Sequence, residues 1–403
     1  MTRTAASLSG LRQVEAADVY KGDTPAARLE RADNGAVSFE YLPKYAGPPI
    51  ATTLPLGEEP VRTPGGGLPA FFAGLLPEGH RLTVLRRAAR TSLDDELTLL
   101  LAVGADTPGD VRVVPAGEAP EAPPSAASGP IGELDFADLA DAVDLHALPG
   151  VQRKASAVML TRPLRLGERD AILKMDPPEY PGLVRNEAAH LLAARSLKVP
   201  TAHAEVVRDR HGTDGLLVER FDRATADGRP VRRAMEDAAQ LLGILPAAKY
   251  RVTAEEIASS VAEVCRARPV AARNVFLQFL FAWLTGNGDL HAKNISVLDD
   301  GEGVWRVAPL YDVLSTAPYP DLDLDLAVPV SGRTSRLRWR HWTEFADAIG
   351  LPETAVPAAA RAAATAAGSI DLAALGYTGS PLNRAERELR HRRSELPDHI
   401  AGS

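Results

Sequence analysis

The stretch Gly286-Asn287-Gly288-Asp289-Leu290-His291-Ala292-Lys293-Asn294 sets an aspartate and an asparagine five positions apart on a Gly-rich turn. A second aspartate follows an apolar run, in Pro309-Leu310-Tyr311-Asp312-Val313. These residue types suit phosphoryl transfer. One carboxylate can orient an acceptor hydroxyl and take its proton, a role typically contributing about 10²- to 10⁴-fold. An amide and a second carboxylate offer the hard oxygen donors that Mg²⁺ prefers. We therefore assign the base role to Asp289 and the metal-holding roles to Asn294 and Asp312. Asn-Gly-Asp is also ordinary turn vocabulary, so the motif alone fits a polar turn between buried elements as well. His291 suits either a phosphate contact or a brace for the loop, and Lys293 either phosphate or solvent. The asparagine and the distant Asp312 favour hard-oxygen chemistry over zinc or a redox metal.

Upstream residues supply what a nucleotide would need. Lys174 lies in the apolar run Ile172-Leu173-Lys174-Met175, where an ammonium is costly unless it meets an anion such as ATP phosphate. Glu187, early in the next predicted helix, is spaced to pair with Lys174 and aim it. Read singly, the two fit a snorkelling lysine and a solvated glutamate better. The turn Leu148-Pro149-Gly150-Val151-Gln152-Arg153-Lys154-Ala155 could fold over phosphates through backbone N–H groups near Gly150 and the Lys154 ammonium. With one glycine it also reads as a plain β-turn. Leu217-Val218-Glu219-Arg220-Phe221-Asp222-Arg223 ends a strand where two lobes would join; backbone groups of Glu219 and Phe221 could pair with an adenine edge. The alternative is a strand end capped by charges.

The elements that must position these groups follow from periodicity. Short β-like runs such as Ala36–Leu42, helical patterning through Leu68–Leu101 and a strand at Val111–Val114 predict an α+β module over residues 1–114. Residues 115–130, rich in Pro, Ala, Gly and Ser, predict a linker. Strands at Ala155–Leu160 and Ala171–Met175, a helix over Leu183–Leu197 and strands at Ala204–Val207 and Gly215–Phe221 fill 131–223; helical patterns dominate 224–403. Two strands, a helix, two strands, then mostly helix is the order of a bilobal, protein-kinase-like α+β fold.

Bulk properties narrow the class. A chain of 403 residues with a net charge of −8 gives no generally basic surface for nucleic acid. Cys265 is the single cysteine, which excludes an intramolecular disulfide and a cysteine-rich zinc site and suits a reducing, cytoplasmic setting. The first twenty residues carry Arg3, Arg12, Glu15 and Asp18 in place of an apolar signal core. Phe276–Leu284, the most hydrophobic run, is about half the length of a membrane span and predicts a buried helix. Neither export nor membrane insertion is expected.

Taken in order, Gly150-Val151-Gln152-Arg153-Lys154, Ile172-Leu173-Lys174, Asn186-Glu187, Val218-Glu219-Arg220-Phe221-Asp222-Arg223, Glu236-Asp237, Asp289-Leu290-His291-Ala292-Lys293-Asn294 and Tyr311-Asp312-Val313-Leu314-Ser315 resemble the HipA-type serine/threonine kinases of bacterial toxin–antitoxin systems. Phe71-Phe72-Ala73-Gly74-Leu75-Leu76-Pro77-Glu78-Gly79 is similar to a segment preceding that family's kinase core. The resemblance implies an ATP- and Mg²⁺-dependent kinase that restrains growth by phosphorylating a protein substrate, typically a translation component such as an aminoacyl-tRNA synthetase. It also implies a small helix-turn-helix antitoxin partner, through which alone the kinase would meet DNA. Carried over, Asp289 is the catalytic base, Asn294 and Asp312 the metal ligands, Lys174 the phosphate ligand, and Glu219 with Phe221 the adenine hinge. Two positions depart from the pattern: His146-Ala147-Leu148-Pro149 lacks the regulatory serine, and Ala234-Met235 stands where a polar residue precedes Glu236-Asp237. A small-molecule kinase of the aminoglycoside or choline phosphotransferase type, and a non-catalytic kinase-like co-repressor, are the rival readings.

Overall fold

Alternation of inward apolar residues builds the first sheet of this computed structural model, which describes residues 5–32, 34–121, 130–141, 159–166, 169–226 and 228–401. Its strands are β1 (Ala16–Lys21), β2 (Thr24–Arg31), β3 (Val37–Tyr41), β4 (Val61–Thr63) and β5 (Val111–Pro115), in the order β4-β3-β2-β1-β5. Neighbours pair antiparallel throughout. Val19, Leu29, Val37 and Phe39 point to one face and pack with Phe72, Leu97 and Leu100 from the helices Ala70–Gly74 and Glu96–Val103. β5 runs one residue past the predicted strand, to Pro115 opposite Ala17. Ala116 N–H then bonds the Ala16 carbonyl at 3.0 Å, so the start of the Pro- and Ala-rich segment stays attached to this module.

The second sheet holds β6 (Leu160–Leu166), β7 (Arg169–Met175), β8 (Ala204–Arg208) and β9 (Asp214–Glu219), ordered β6-β7-β9-β8. Most of the predicted strand Ala155–Leu160, and the phosphate-turn residues Gly150 and Lys154, lie outside the described residues. The two-residue period of β7 decides where Lys174 goes. Ala171, Leu173 and Met175 face Phe136 on one side, while Ile172 faces the core that contains Leu183 and Val184. Lys174 shares the face of Ile172 and so meets the helix Leu183–Ala194. That helix opens at Gly182, whose φ of 86° is left-handed, and the Asp176 carboxylate accepts the Gly182 and Val184 N–H groups at 2.6 and 2.7 Å. Thus one carboxylate serves the helix's orphan donors. β9 stops at Glu219, short of the predicted end at Phe221, because Arg220 and Asp222 turn into a buried ion cluster.

After a hairpin of β10 (Arg223–Ala226) and β11 (Arg229–Arg232), the chain is mainly helical around the long element Arg268–Thr285. Phe276, Leu277, Phe279, Leu280, Phe281 and Leu284 are fully buried there, each contributing about 1.5–3 kcal/mol as an upper estimate. A small sheet, β12 (Met235–Asp237), β13 (Ser296–Asp299) and β14 (Trp305–Val307), carries the segments on either side of the Asp289 loop. Among the described residues no helix is long and apolar enough to cross a membrane.

The N-terminal module binds the rest of the chain through polar groups. Asp106 pairs with Arg220, Arg223 and Arg232 at 3.0, 2.7 and 2.9 Å. Asp222 pairs with Arg220 and Arg223 at 2.9 and 2.7 Å. Thr52 bonds Glu236 through both its N–H and its hydroxyl, and Gln240 donates to the Phe71 carbonyl. The Asp106, Asp222 and arginine charges persist in this buried cluster because each has hydrogen-bonded partners of opposite sign.

Candidate active site

The Asp289 loop is shaped by where a helix must end. Gly286 closes Arg268–Thr285 in the left-handed region at φ 71°, a conformation that costs a side-chain-bearing residue about 1–2 kcal/mol. At Gly288 any Cβ would lie 2.1 Å from the Asp323 carbonyl oxygen, so only glycine fits. The Asn287 side chain accepts the Asp289 N–H at 2.9 Å, and the Thr316 hydroxyl receives the Gly288 N–H at 3.1 Å. His291 and Asn294 then lock the turn reciprocally. His291 Nδ1 accepts the Lys293 N–H at 3.2 Å, and Asn294 Oδ1 accepts the His291 N–H at 3.1 Å. Of the two roles open to His291, this geometry documents the bracing one: it is fully buried, with its ring edge-on to Tyr250 at 4.8 Å.

Tyr250 donates its hydroxyl to Asp289 Oδ1 at 3.1 Å. Burial first, and the Asp289 charge next, hold that phenol far above its ordinary pKa, so it stays a proton donor that orients the carboxylate. Lys293 is neither solvated nor turned to phosphate. Its ammonium is buried, donates to the Gly74 carbonyl at 2.8 Å and lies 2.9 Å from Glu78.

Asp312 reaches the same place by another route. Leu310 N–H bonds the Pro200 carbonyl at 2.8 Å and its own carbonyl accepts the Ala202 N–H at 2.9 Å, which stitches this segment to the smaller lobe. Asp312 itself sits at φ 57°, a left-handed backbone unusual outside glycine and typical of functional sites. Asn186 holds the next turn with its side-chain amide. Its Nδ2 donates to the Ser315 carbonyl at 2.9 Å and its Oδ1 accepts the Ser315 N–H at 2.8 Å.

Lys174, Glu187, Asp312 and Asn294 consequently meet. The Lys174 ammonium lies 2.7 and 2.9 Å from the two Glu187 oxygens and 2.7 Å from Asp312 Oδ1. Asn294 Nδ2 donates to Asp312 Oδ2 at 2.7 Å. Burial would depress the Lys174 pKa, but Asp312 and Glu187 outweigh it and hold the ammonium charged. Glu187, with no exposed side-chain surface, is pushed up to about 7 by burial and by Asp312 against the pull of Lys174. One cation thus faces two carboxylates, and the cluster carries a full net negative charge only above the raised value of Glu187. At the end of β9, next to β7 in the sheet, Glu219 N–H bonds the His203 carbonyl at 2.9 Å, and the Phe221 ring lies 5.6 Å from that of Tyr311. Tyr311 in turn donates to the Lys293 carbonyl at 2.7 Å, so the strand end and the Asp289 loop share a wall. Tyr250 carried no legible signal for its role because it acts through a tertiary contact, and Asn186, in the Asn186-Glu187 motif, likewise clasps Ser315 across the fold.

A small antiparallel sheet with a Lys–Glu pair, joined to a helical lobe that presents Asp289, Asn294 and Asp312, makes this a two-lobed kinase-like fold. Two family descriptions match the chain: HipA N-terminal domain over residues 17–114 and HipA-like C-terminal domain over 146–370. The chain belongs to the HipA family and is a HipA-type kinase. "Putative kinase Y4mE" of Sinorhizobium fredii (strain NBRC 101917 / NGR234) is 31% identical over 352 residues, covering 79% of this chain and 82% of that protein. "Serine/threonine-protein kinase toxin HipA" of Shewanella oneidensis is 29% identical over 370 residues, 83% of each chain. A solved chain from the Shewanella oneidensis MR-1 HipA, HipB and operator DNA complex superposes with a TM-score of 0.73 at 22% identity, covering 95% of this chain and 96% of that one, which shows the shared fold.

Proposed function

We propose that the protein transfers the γ-phosphoryl group of ATP to a serine or threonine hydroxyl of a protein, acting as a growth-restraining toxin neutralised by a helix-turn-helix antitoxin. The observation that carries this reading is the continuous contact from Glu187 through Lys174 and Asp312 to Asn294, beside Asp289. The donor set fits Mg²⁺. Asp312 supplies hard carboxylate oxygens, the Asn294 amide oxygen, which here accepts the His291 N–H, has a second lone pair to share, and a magnesium site completed by phosphate oxygens needs only one or two protein ligands. When bound, the metal neutralises charge developing on the phosphates. Lys174 would exchange part of its carboxylate pairing for phosphate oxygens while Glu187 keeps it aimed. The Glu219 carbonyl and the Phe221 N–H would pair with adenine, and Gly150 with Lys154 would cover the phosphates. Asp289, oriented by Tyr250, would align the acceptor hydroxyl and take its proton. His291 would support ATP by holding the loop that carries Asn294.

The relative's printed name, serine/threonine-protein kinase toxin, supports the acceptor class, and the HipA, HipB and operator DNA complex supports an antitoxin through which DNA would be reached. A translation component such as an aminoacyl-tRNA synthetase is the expected target, in the cytoplasm. The test is transfer from [γ-³²P]ATP into bacterial lysate protein, run beside a metabolite panel and with Asp289→Ala as control. Label in protein that disappears in the variant is expected. Label confined to metabolites would reject the protein-kinase assignment.

A further inference from the structure

Behind the Asp289 loop, away from Lys174, two buried ammonium groups face one carboxylate from the N-terminal module. Glu78 Oε2 lies 2.6 Å from Lys249 Nζ and Glu78 Oε1 lies 2.9 Å from Lys293 Nζ, with both lysine side chains only 2% exposed. Lys293 has further support from the Gly74 carbonyl at 2.8 Å and from Asp237 at 3.9 Å. Lys249 differs: among the described residues Glu78 is its one ion-pair partner. It is also the residue before Tyr250, whose hydroxyl bonds Asp289, and its ammonium stands 5.2 Å from the Tyr250 ring centre. The Asp289 charge already acts on it attractively.

We propose that Glu78 is a positioning residue for phosphoryl transfer: it keeps the Lys249 ammonium on the N-terminal module and off the Asp289 carboxylate, while anchoring the loop through Lys293. The proposal rests on Asp289 being the base. Two like charges buried this closely need a counter-charge, and stripping one partner from a buried ion group is strongly unfavourable. Without the Glu78 carboxylate, Lys249 would seek the nearby Asp289, and an ion-paired Asp289 would lose both its orientation toward the acceptor and its readiness to take a proton. The N-terminal module would thereby govern turnover without contacting nucleotide or acceptor.

The full-length chain is assayed with [γ-³²P]ATP and myelin basic protein as a generic acceptor. Glu78→Gln is expected to lower kcat tenfold or more with KM for ATP within threefold of wild type. Lys249→Met is expected to stay within threefold of wild type, and Glu78→Gln with Lys249→Met to regain at least fivefold over Glu78→Gln alone. A purely structural role for Glu78 predicts no such rescue. A loss below threefold in Glu78→Gln, or a double variant no faster than Glu78→Gln, overturns the proposal. Should Glu78→Gln fail to fold by circular dichroism, Lys249→Met decides: activity within threefold supports the proposal, and a folded but tenfold slower protein overturns it. Wild-type protein that labels no acceptor would instead sink the assignment of protein-kinase activity itself.

Discussion

Replacing Lys174 with methionine removes the cation that Glu187 and Asp312 share and leaves Glu187 buried with no exposed side-chain surface. The cost has a ceiling, because the stranded carboxylate can take up a proton. At about pH 7.5 protonating a group whose unfolded value is 4.5 costs about 4 kcal/mol, but wild-type Glu187, already pushed up to about 7, carries about 3 kcal/mol of that, so the stranded charge adds about 1 kcal/mol; at about pH 5.5 both proteins carry about 1.4 kcal/mol and the charge adds almost nothing. Without Lys174 the folded-state pKa of Glu187 rises further above its unfolded value. The added penalty is therefore absent below about 7, where both folded proteins hold Glu187 protonated, and grows as pH climbs from there toward the variant's higher folded value. Urea unfolding followed by tryptophan fluorescence should show Lys174→Met losing about 1 kcal/mol more near pH 7.5 than near pH 5.5. Adding Glu187→Gln should remove most of the pH dependence. Equal losses at both pH values would refute the reasoning, since they would mean that packing of the lysine stem and not its charge holds the strand to the helix.

Asp289→Asn should lower the rate of transfer from ATP by about 10²- to 10⁴-fold while calorimetry still detects Mg·ATP binding; retained turnover would remove Asp289 from the base role. Asn186→Ala strands the buried N–H and carbonyl of Ser315, at about 1–3 kcal/mol per unsatisfied group; calorimetric unfolding should show the loss, and an unchanged Tm would contradict the clasp. His190 is fully buried and burial holds its pKa down to about 4 from 6.5. Its neutral form thus stabilises the fold above the unfolded value, and that contribution is lost as pH falls toward 4, by about 1.4 kcal/mol at about pH 5.5. His190→Gln should flatten this acid limb of the stability curve; an unaltered limb would show that other groups produce it.

Local pattern made much of the candidate site's geometry legible. Asp289, His291 and Asn294 could be assigned together because their loop is a short-range object: a helix stop at Gly286, an Asx bond from Asn287 and a reciprocal cap between His291 and Asn294 involve residues a few positions apart. Alternation in β7 likewise fixed the face of Lys174, and the position of Glu187 followed from the start of the next helix. The strand end at Phe221 was misjudged because β propensity does not register the pull of Asp106 on Arg220 from the N-terminal module.

What the amino-acid order determined alone was the kit of groups and their local presentation: a lysine in an apolar strand, a glutamate one helical turn in, a carboxylate and an amide on one turn. Tertiary structure decided which of them meet. Lys174 and Asp312 are 138 positions apart and touch at 2.7 Å only because the Leu310 segment is bonded to Pro200 and Ala202 of the other lobe. Lys293 could equally have faced phosphate, and turns to Glu78 because the N-terminal module packs beneath the loop. Periodicity is a property of neighbours along the chain, whereas charge pairing in a buried site depends on which surfaces are driven together and which counter-ions they bring.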